Sequence, residues 1–258
     1  MDAQRPFGSA TFPWYDSVWL EQYEKARDWL KLNRPEALSA FEHSFDVLRT
    51  REDFRIKFFD PLFDAVTLAD IRAEIAGLKP TDFELHEAKV FRRFVVHDHP
   101  FFNELQRSLL PMVSEAAGEA LEPSYNFLSL YAERGVCPMH MDSPESKWTL
   151  DVCIDQSAAW PIHFGKVQAW PDSRQVANNE ALLPTCMEDF DSYSLQPGQA
   201  VLFSGSSQWH YRDTMPSTSD KNFCHLIFFH YVPAGTMELA NPKNWNRLFD
   251  LADMDPAK

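Results

Sequence analysis

The stretch YAERGVCPMHMDSPESKWTLDVCI, residues 131–154, decides how the rest of the chain is interpreted. A β-rich run ends at Ala132, a glycine-containing loop follows, and a second β-rich run begins at Trp148. His140 and Asp142 stand between the two runs. In an extended chain residues i and i+2 point to the same side, so this imidazole and this carboxylate can converge on one metal ion. Such a site still needs at least one more ligand.

A second histidine follows in residues 195–213, LQPGQAVLFSGSSQWHYRD. Turn residues at 196–199 and 204–207 enclose a buried strand over 200–203, and His210 lies at the end of the next strand. Two histidines and a carboxylate on one face form the facial triad that suits Fe(II), which leaves three positions for a bidentate keto acid and for O₂. A closed zinc site would need more thiolate or imidazole than this arrangement offers.

The chain changes character near Pro123, from helical periodicity to short β-rich runs. Apolar residues at three- and four-residue steps predict helices over 16–51 (two helices, broken near 33–35), 67–78 with Thr67 as N-cap, 100–121 and 241–252. Strands are predicted over 88–96, 125–132, 148–154, 160–164, 167–170, 191–195, 200–203 and 223–232. This order predicts an α+β protein whose strands close into a sandwich-like barrel, with helices covering one face.

Bulk composition favours one domain and a small-molecule partner. With 258 residues, 45% of them hydrophobic, the chain can bury one substantial core. We expect one domain over 1–258, with a mainly helical part over 1–87, a β-barrel core over 88–233 and a tail helix over 234–258. The formal net charge of −14 opposes the basic surface that binding of a phosphate backbone requires. The sequence therefore predicts no nucleic-acid partner and favours a cationic or zwitterionic small molecule.

Cysteine usage and the N-terminus predict a cytoplasmic protein. The cysteines are widely spaced and lack a CxxC pair, so they are expected to be reduced thiols; they are Cys137, Cys153, Cys186 and Cys224. The N-terminus lacks a basic region followed by an apolar stretch, and no window approaches the roughly eighteen apolar residues of a membrane span. We expect no association with a membrane.

Taken together, these motifs resemble those of the Fe(II)/2-oxoglutarate dioxygenase superfamily. The matching pieces are HxD at 140–142, a PGxAVLF-type strand at 197–203, a histidine 68 residues beyond Asp142, and the closing strand FCHLIFFHYVP at 223–233. The similarity covers roughly residues 88–233, and the free amino-acid hydroxylase and halogenase-like branch is the one it suggests.

The resemblance implies a fold, a set of cofactors and a reaction. The fold would be a double-stranded β-helix, a jelly-roll or cupin-like barrel. Fe(II), 2-oxoglutarate and O₂ would serve as metal and cosubstrates, with His140, Asp142 and His210 as metal ligands and catalytic centre, and succinate and CO₂ as coproducts. Related halogenases carry a small residue where Asp142 stands, so hydroxylation is expected.

The distal carboxylate of a buried keto acid needs a cation, because burying that charge unpaired is prohibitive. Family members place an Arg or Lys on or close behind the strand of the distal histidine. Arg212 lies two residues past His210, and its planar fork suits a carboxylate. Lys221 is the rival, although it follows a polar run. We expect Arg212 to bind 2-oxoglutarate.

Substrate contacts are expected from strands that border the cavity. Arg92 and Arg93 are adjacent on an early strand, so one of them points inward and could bind a substrate carboxylate. Either His225 or His230 could line the pocket. The other candidates are Asn126, Tyr131, Trp148, for which core packing explains the residue equally well, and Trp245, a possible lid residue.

Three functions are compatible with these features. The first is hydroxylation of a free amino acid or an amino-acid-derived metabolite, which the acidity and the helical cover favour. The second is hydroxylation of a protein side chain, which would require an open groove. The third is a non-catalytic, cupin-like binding protein, against which the complete triad argues.

Overall fold

The computed structural model describes residues 17–170, 190–216 and 222–251. The α-helices are α1 (Ser17–Asn33), α2 (Pro35–Ser44), α3 (Ala65–Gly77), α4 (Pro100–Ala117), α5 (Met237–Ala240) and α6 (Trp245–Phe249). The strands are β1 (Lys57–Phe59), β2 (Arg93–His97), β3 (Leu121–Tyr131), β4 (Cys137–His140), β5 (Trp148–Gln156), β6 (Ile162–Val167), β7 (Asp191–Tyr193), β8 (Ala200–Phe203), β9 (Gln208–Arg212) and β10 (Cys224–Pro233).

Two antiparallel sheets form the body of the fold. The larger sheet has the strand order β1-β8-β5-β10-β3-β2, and the smaller has the order β4-β9-β6-β7. Their inner faces pack together, with the rings of Phe164 on β6 and Phe203 on β8 4.6 Å apart. Strands of both sheets alternate between this interior and an outer face, as period-2 side-chain geometry requires. The predicted α+β architecture with a double-stranded β-helix is confirmed.

Helices lie on the outer faces of both sheets, whereas the sequence predicted a cover on one face. Phe102 of α4 and Ile71 of α3 pack against the larger sheet. Helices α1 and α2 pack with α6 against Trp209 and Tyr211, which point outward from β9 of the smaller sheet. Both outer faces are apolar, so each needs a helical cover to remove it from water.

Local boundaries differ from the predictions where short-range chemistry overrides periodicity. Helix α3 is capped by Asp64, whose carboxylate accepts a 2.8 Å hydrogen bond from the Thr67 backbone N–H, so Thr67 is not the N-cap. Strand β2 begins only at Arg93, because Arg92 has a φ of 58° and lies in the turn before it. Helix α4 ends before Gly118, whose φ is 77°. One strand, β6, spans 162–167 where two were predicted over 160–164 and 167–170, and residues 168–170 lie outside it.

Three of the cysteines lie within the described residues. Cys137, Cys153 and Cys224 are buried and unpaired, and Cys186 lies outside the described residues. None of the helices within 17–170, 190–216 and 222–251 combines the length and apolar character needed to cross a bilayer.

Candidate functional site

Three of the predicted ligands meet between the two sheets. His140, the last residue of β4, lies directly opposite His210 of β9 in the antiparallel register. Asp142 follows two residues after His140, and its Oδ1 is 3.4 Å from His140 Nε2 and 3.6 Å from His210 Nε2. All three ligand atoms lie within 4.8 Å of one another. The structure therefore brings together two imidazoles and one carboxylate in a geometry that fits a metal ion.

Hydrogen bonds on the far side of each ring fix which nitrogen faces the centre. His140 Nδ1 is 2.6 Å from the Pro138 carbonyl, and His210 Nδ1 is 3.0 Å from the Gln208 carbonyl. Because a carbonyl oxygen only accepts, each Nδ1 carries a proton, and Nε2 is the nitrogen of each ring that faces the centre. Two ring nitrogens and a carboxylate oxygen then face one another, as the ligand atoms of a metal ion do.

Burial and neighbouring groups set the charge states that metal binding needs. Burial lowers the pKa of His140, and the adjacent His210 lowers it further, so the His140 ring is neutral at pH 7. Burial alone would raise the pKa of Asp142, but the two histidines outweigh it and hold that pKa well below its usual range. A neutral imidazole and an ionised carboxylate are the forms that bind a metal ion.

The Asp142 carboxylate is held by its own surroundings. Its backbone N–H donates a 2.8 Å hydrogen bond to the Gly205 carbonyl, and Thr149 Oγ1 donates a 3.0 Å bond to Asp142 Oδ2. A Cβ at Gly205 would lie 2.6 Å from Thr149 Oγ1 and closer still to the Asp142 carboxylate. Gly205 is therefore required for this approach of the two chain segments.

The triad opens into a cavity of about 300 Å³ between the sheets. Its walls are largely aromatic and apolar, and its polar groups come from the triad, from Thr149, His97 and His230, and from the pair formed by Glu87 and Arg93. The aromatic wall residues are Phe91, Tyr125, Phe127, Tyr131, Phe203 and Phe228. A concave, mostly apolar site with a few convergent polar groups is typical of small-molecule pockets.

Arg93 is the one arginine or lysine among the described residues that line this cavity. Its guanidinium donates to Tyr131 Oη at 2.7 Å and to the Glu87 carboxylate, and its Cζ is 5.5 Å from the centre of the Phe127 ring. Burial acts to lower the pKa of Arg93, but Tyr131 and Glu87 outweigh it, so the group stays charged. Of the two adjacent arginines, Arg93 points inward, as one of them was expected to do, and Tyr131 lies at the predicted cavity wall.

Arg212 already has a buried partner. Its Nη2 is 2.5 Å from Asp151 Oδ2, with the side chains of the two residues 2% and 0% exposed, and its Nη1 donates to the Trp160 carbonyl. It is not among the residues that line the cavity, although its Nε has no partner within the described ranges. The expected role of Arg212 as the 2-oxoglutarate anchor stays a prediction, now with a competing structural role. Lys221 lies outside the described residues.

Five substrate candidates do not line the cavity, and each has a local reason. Arg92 is exposed in a turn, and His225 of β10 alternates away from the cavity while His230 does not. The other three are bound elsewhere: Asn126 to Asn103 and Gln106 on α4, Trp148 to Phe54 and Glu119, and Trp245 to the rings of Trp19 on α1 and Phe41 on α2. The substrate contacts expected of these five residues, including the lid role of Trp245, stay predictions without support from their positions in this structure.

Sequence reasoning missed the residues that support the triad. Thr149 and Gly205 are separated from each other by more than fifty residues, and their meeting depends on the pairing of the strands. The sequence left open whether His225 or His230 faces the cavity. Period-2 alternation from the apolar Phe228 would have favoured His230. No local motif marks Glu87.

Comparison with solved structures shows which fold this is. The non-haem α-ketoglutarate-dependent carbocyclase SnoK of nogalamycin biosynthesis superposes with a TM-score of 0.55 at 12% identity, over 73% of this chain and 84% of its own. The epimerase SnoN of the same biosynthesis gives 0.54 at 14% identity, over 76% and 82%. HygX from Streptomyces hygroscopicus, with nickel and 2-oxoglutarate bound, gives 0.51 at 13% identity, over 76% and 87%.

These identities are low enough that the similarity shows a shared fold alone. The double-stranded β-helix expected from the sequence is the fold that this chain shares with SnoK and HygX. No known protein-family profile matches the sequence, and no curated protein does.

Proposed function

We propose that this protein is an Fe(II)- and 2-oxoglutarate-dependent oxygenase that hydroxylates a small molecule, specifically a free amino acid or an amino-acid-derived metabolite. The observation that carries the proposal is the convergence of two Nε2 lone pairs and one ionised carboxylate at the wall of an internal cavity. This ligand set suits Fe(II) and leaves positions for a keto acid and O₂. The fold shared with SnoK, SnoN and HygX supports it.

Each residue of the site has a role in this proposal. His140, Asp142 and His210 would hold Fe(II), and Thr149 and Gly205 keep the Asp142 carboxylate in place. Bound iron and keto acid supply the oxidising chemistry, with succinate and CO₂ as coproducts. The chain itself positions the reactants, and its aromatic cavity walls exclude water from them.

The cavity suits a zwitterionic metabolite better than a protein chain. Its volume of about 300 Å³ is at the small end of ligand pockets, and an extended peptide would need an open groove. Its wall offers a guanidinium at Arg93, a carboxylate at Glu87 and an imidazole at His230, so it can bind groups of both charges. A non-catalytic binding protein would not need two imidazoles whose Nε2 atoms face a carboxylate at the cavity wall.

We assign Arg93 to a carboxylate inside the cavity, either the distal one of 2-oxoglutarate or that of the substrate. Arg212 is the second candidate for the keto acid, because its Nε is buried without a partner in the described part of the chain. Each guanidinium already has a carboxylate partner, Glu87 for Arg93 and Asp151 for Arg212, but of the two arginines Arg93 alone lines the cavity. Variants of each residue separate them.

Arg93→Met is expected to raise the apparent Michaelis constant of one carboxylate ligand, either 2-oxoglutarate or the substrate, and to leave that of the other unchanged. The loss of a mostly buried guanidinium should weaken binding by roughly ten- to a hundredfold, at about 1.4 kcal/mol per decade. Arg93→Lys should recover part of the loss, because a point charge does not reproduce the two-pronged contact. The measurement is the rate of succinate release against 2-oxoglutarate and, separately, against substrate.

Two controls accompany the Arg93 variants. Glu87→Gln in the Arg93→Met background removes the carboxylate that would otherwise lose its partner. Arg51→Met removes an exposed arginine and should leave both constants unchanged. Unchanged constants in Arg93→Met would remove Arg93 from ligand binding.

The substrate class is tested by a screen of free amino acids. The purified protein is incubated with Fe(II), 2-oxoglutarate, O₂ and each L-amino acid, and products are analysed by mass spectrometry. We expect one or a few amino acids to gain a single oxygen atom with matching succinate release. Succinate release that no amino acid stimulates would contradict the amino-acid assignment while leaving the oxygenase assignment in place.

A further inference from the structure

A chain of hydrogen bonds leads from Asp142 to a histidine that the metal site does not use. Thr149 Oγ1 lies 3.0 Å from Asp142 Oδ2 and 3.1 Å from Nδ1 of His230, on the neighbouring strand β10. His230 is 2% exposed and belongs to the cavity wall. Its other ring nitrogen, Nε2, is buried and has no hydrogen-bond partner among the described residues.

The donors and acceptors along this chain fix the proton on His230. A carboxylate that binds a metal ion is ionised and only accepts, so the Thr149 hydroxyl donates its single proton to Asp142. Thr149 Oγ1 must then accept from His230, which places the imidazole proton on Nδ1. Nε2 is left with a lone pair, as an acceptor without a donor.

The surroundings of the ring keep it neutral and in place. Its ring stacks on Tyr125 at 4.2 Å and on Phe127 at 5.5 Å between centroids, so the imidazole plane is fixed. Burial lowers the pKa of His230 to about 4, so the ring is uncharged at pH 7. A buried acceptor without a partner is costly, which makes such an atom a place where a ligand donor is expected.

We propose that His230 is a specificity-determining residue whose Nε2 accepts a hydrogen bond from an N–H or O–H group of the substrate. The inference rests on the proposed function, because a metal-bound Asp142 sets the direction of the chain. It deepens that function by requiring a donor on the substrate: the ammonium of an amino acid or a hydroxyl in its place. His230 and Arg93 line the same cavity, and each lies 5.5 Å from the centre of the Phe127 ring.

The position of the proton can be measured without any substrate. Protein labelled with ¹⁵N-histidine and loaded with diamagnetic Zn(II) is examined by NMR, with the His230 signal assigned by its loss in His230→Asn. We expect the proton on Nδ1 in the wild type, and a mixture of tautomers in Thr149→Val, which lacks the hydroxyl. A wild-type His230 with its proton on Nε2 overturns the proposal.

Ligand binding tests the role of Nε2 itself. Calorimetry on protein loaded with Ni(II) and 2-oxoglutarate compares each L-amino acid with its 2-hydroxy acid and with the acid that lacks both donors. We expect the donor-bearing ligand to bind more tightly, and His230→Asn to weaken it by about ten- to a hundredfold without affecting the donor-free acid. Asparagine keeps an N–H near the Nδ1 position but has no atom at Nε2.

Matched variants separate this role from a structural one. His230→Gln places an amide oxygen near the Nε2 position and should recover part of the binding. His163→Asn removes another strand imidazole, one that pairs with Asp213 outside the cavity, and should bind as the wild type does. The proposal is overturned if the His230→Asn protein distinguishes donor-bearing from donor-free ligands to the same degree as the wild type. Failure to bind Ni(II) or 2-oxoglutarate at all would instead refute the proposed function.

Discussion

Asp142→Ala is expected to lower succinate release by about a thousandfold or more, a change of roughly 4 kcal/mol in the activation free energy. The substitution removes the one charged ligand of the triad, and two neutral imidazoles hold Fe(II) far less tightly. The fold should persist, because open metal sites contribute less to folding than closed structural ones. His140→Ala and His210→Ala should have the same effects as Asp142→Ala. The measurements are succinate release and thermal melting of the same preparations.

The matched control is Asp191→Ala, which removes an exposed carboxylate on β7 outside the cavity. It should retain wild-type turnover. Normal succinate release from the Asp142→Ala protein would show that the assignment of the triad is wrong.

Arg212→Met is expected to destabilise the protein by about 3–5 kcal/mol, because it leaves Asp151 buried without its partner. Asp151 is fully buried and Arg212 nearly so, hence solvent cannot replace the lost contact. Denaturant unfolding monitored by tryptophan fluorescence measures the loss of stability. A change below about 1 kcal/mol, the range of exposed ion pairs, would contradict the buried pair.

The double variant Arg212→Met/Asp151→Leu separates stability from ligand binding. Replacing both charges of a buried pair by apolar groups is often close to neutral, so most of the stability should return. If Arg93 binds the keto acid and Arg212 does not, this folded variant should keep its 2-oxoglutarate constant within about threefold, less than 1 kcal/mol. A large rise in that constant would restore Arg212 as the anchor.

The triad was predictable because its signals are local. HxD on an extended segment fixes two ligands, and turn residues around strand β8 place His210 on a strand end. The spacing alone does not say that β4 and β9 are neighbours in the smaller sheet, with these two histidines in register. The strand pattern predicted a sandwich-like barrel, and the resemblance to the Fe(II)/2-oxoglutarate dioxygenases implied the double-stranded β-helix.

The partners of the polar side chains outside the triad were not predictable, because they depend on which strands become neighbours. An arginine two residues past His210 on its strand is visible in the sequence, whereas the carboxylate opposite it comes from β5, 61 residues earlier. Aromatic residues were the poorest indicators of the cavity wall, because a tryptophan such as Trp148 or Trp245 fits a hydrophobic core as well as it fits a cavity wall. The sequence offered both Arg92 and Arg93 as inward-pointing residues. The turn at Arg92, which leaves Arg93 facing the cavity, is visible only in the structure.

The most direct test of the oxygenase assignment is the dependence of succinate formation on each component. Purified protein, freed of metal, is supplied with Fe(II), 2-oxoglutarate and O₂ together and with each one omitted. If the oxygenase assignment is correct, we expect slow succinate and CO₂ formation with all three even without substrate, faster formation with the correct amino acid, and none when any one is missing. A folded protein that binds Fe(II) but forms no succinate with any amino acid, or one that forms succinate equally well without Fe(II), would contradict it.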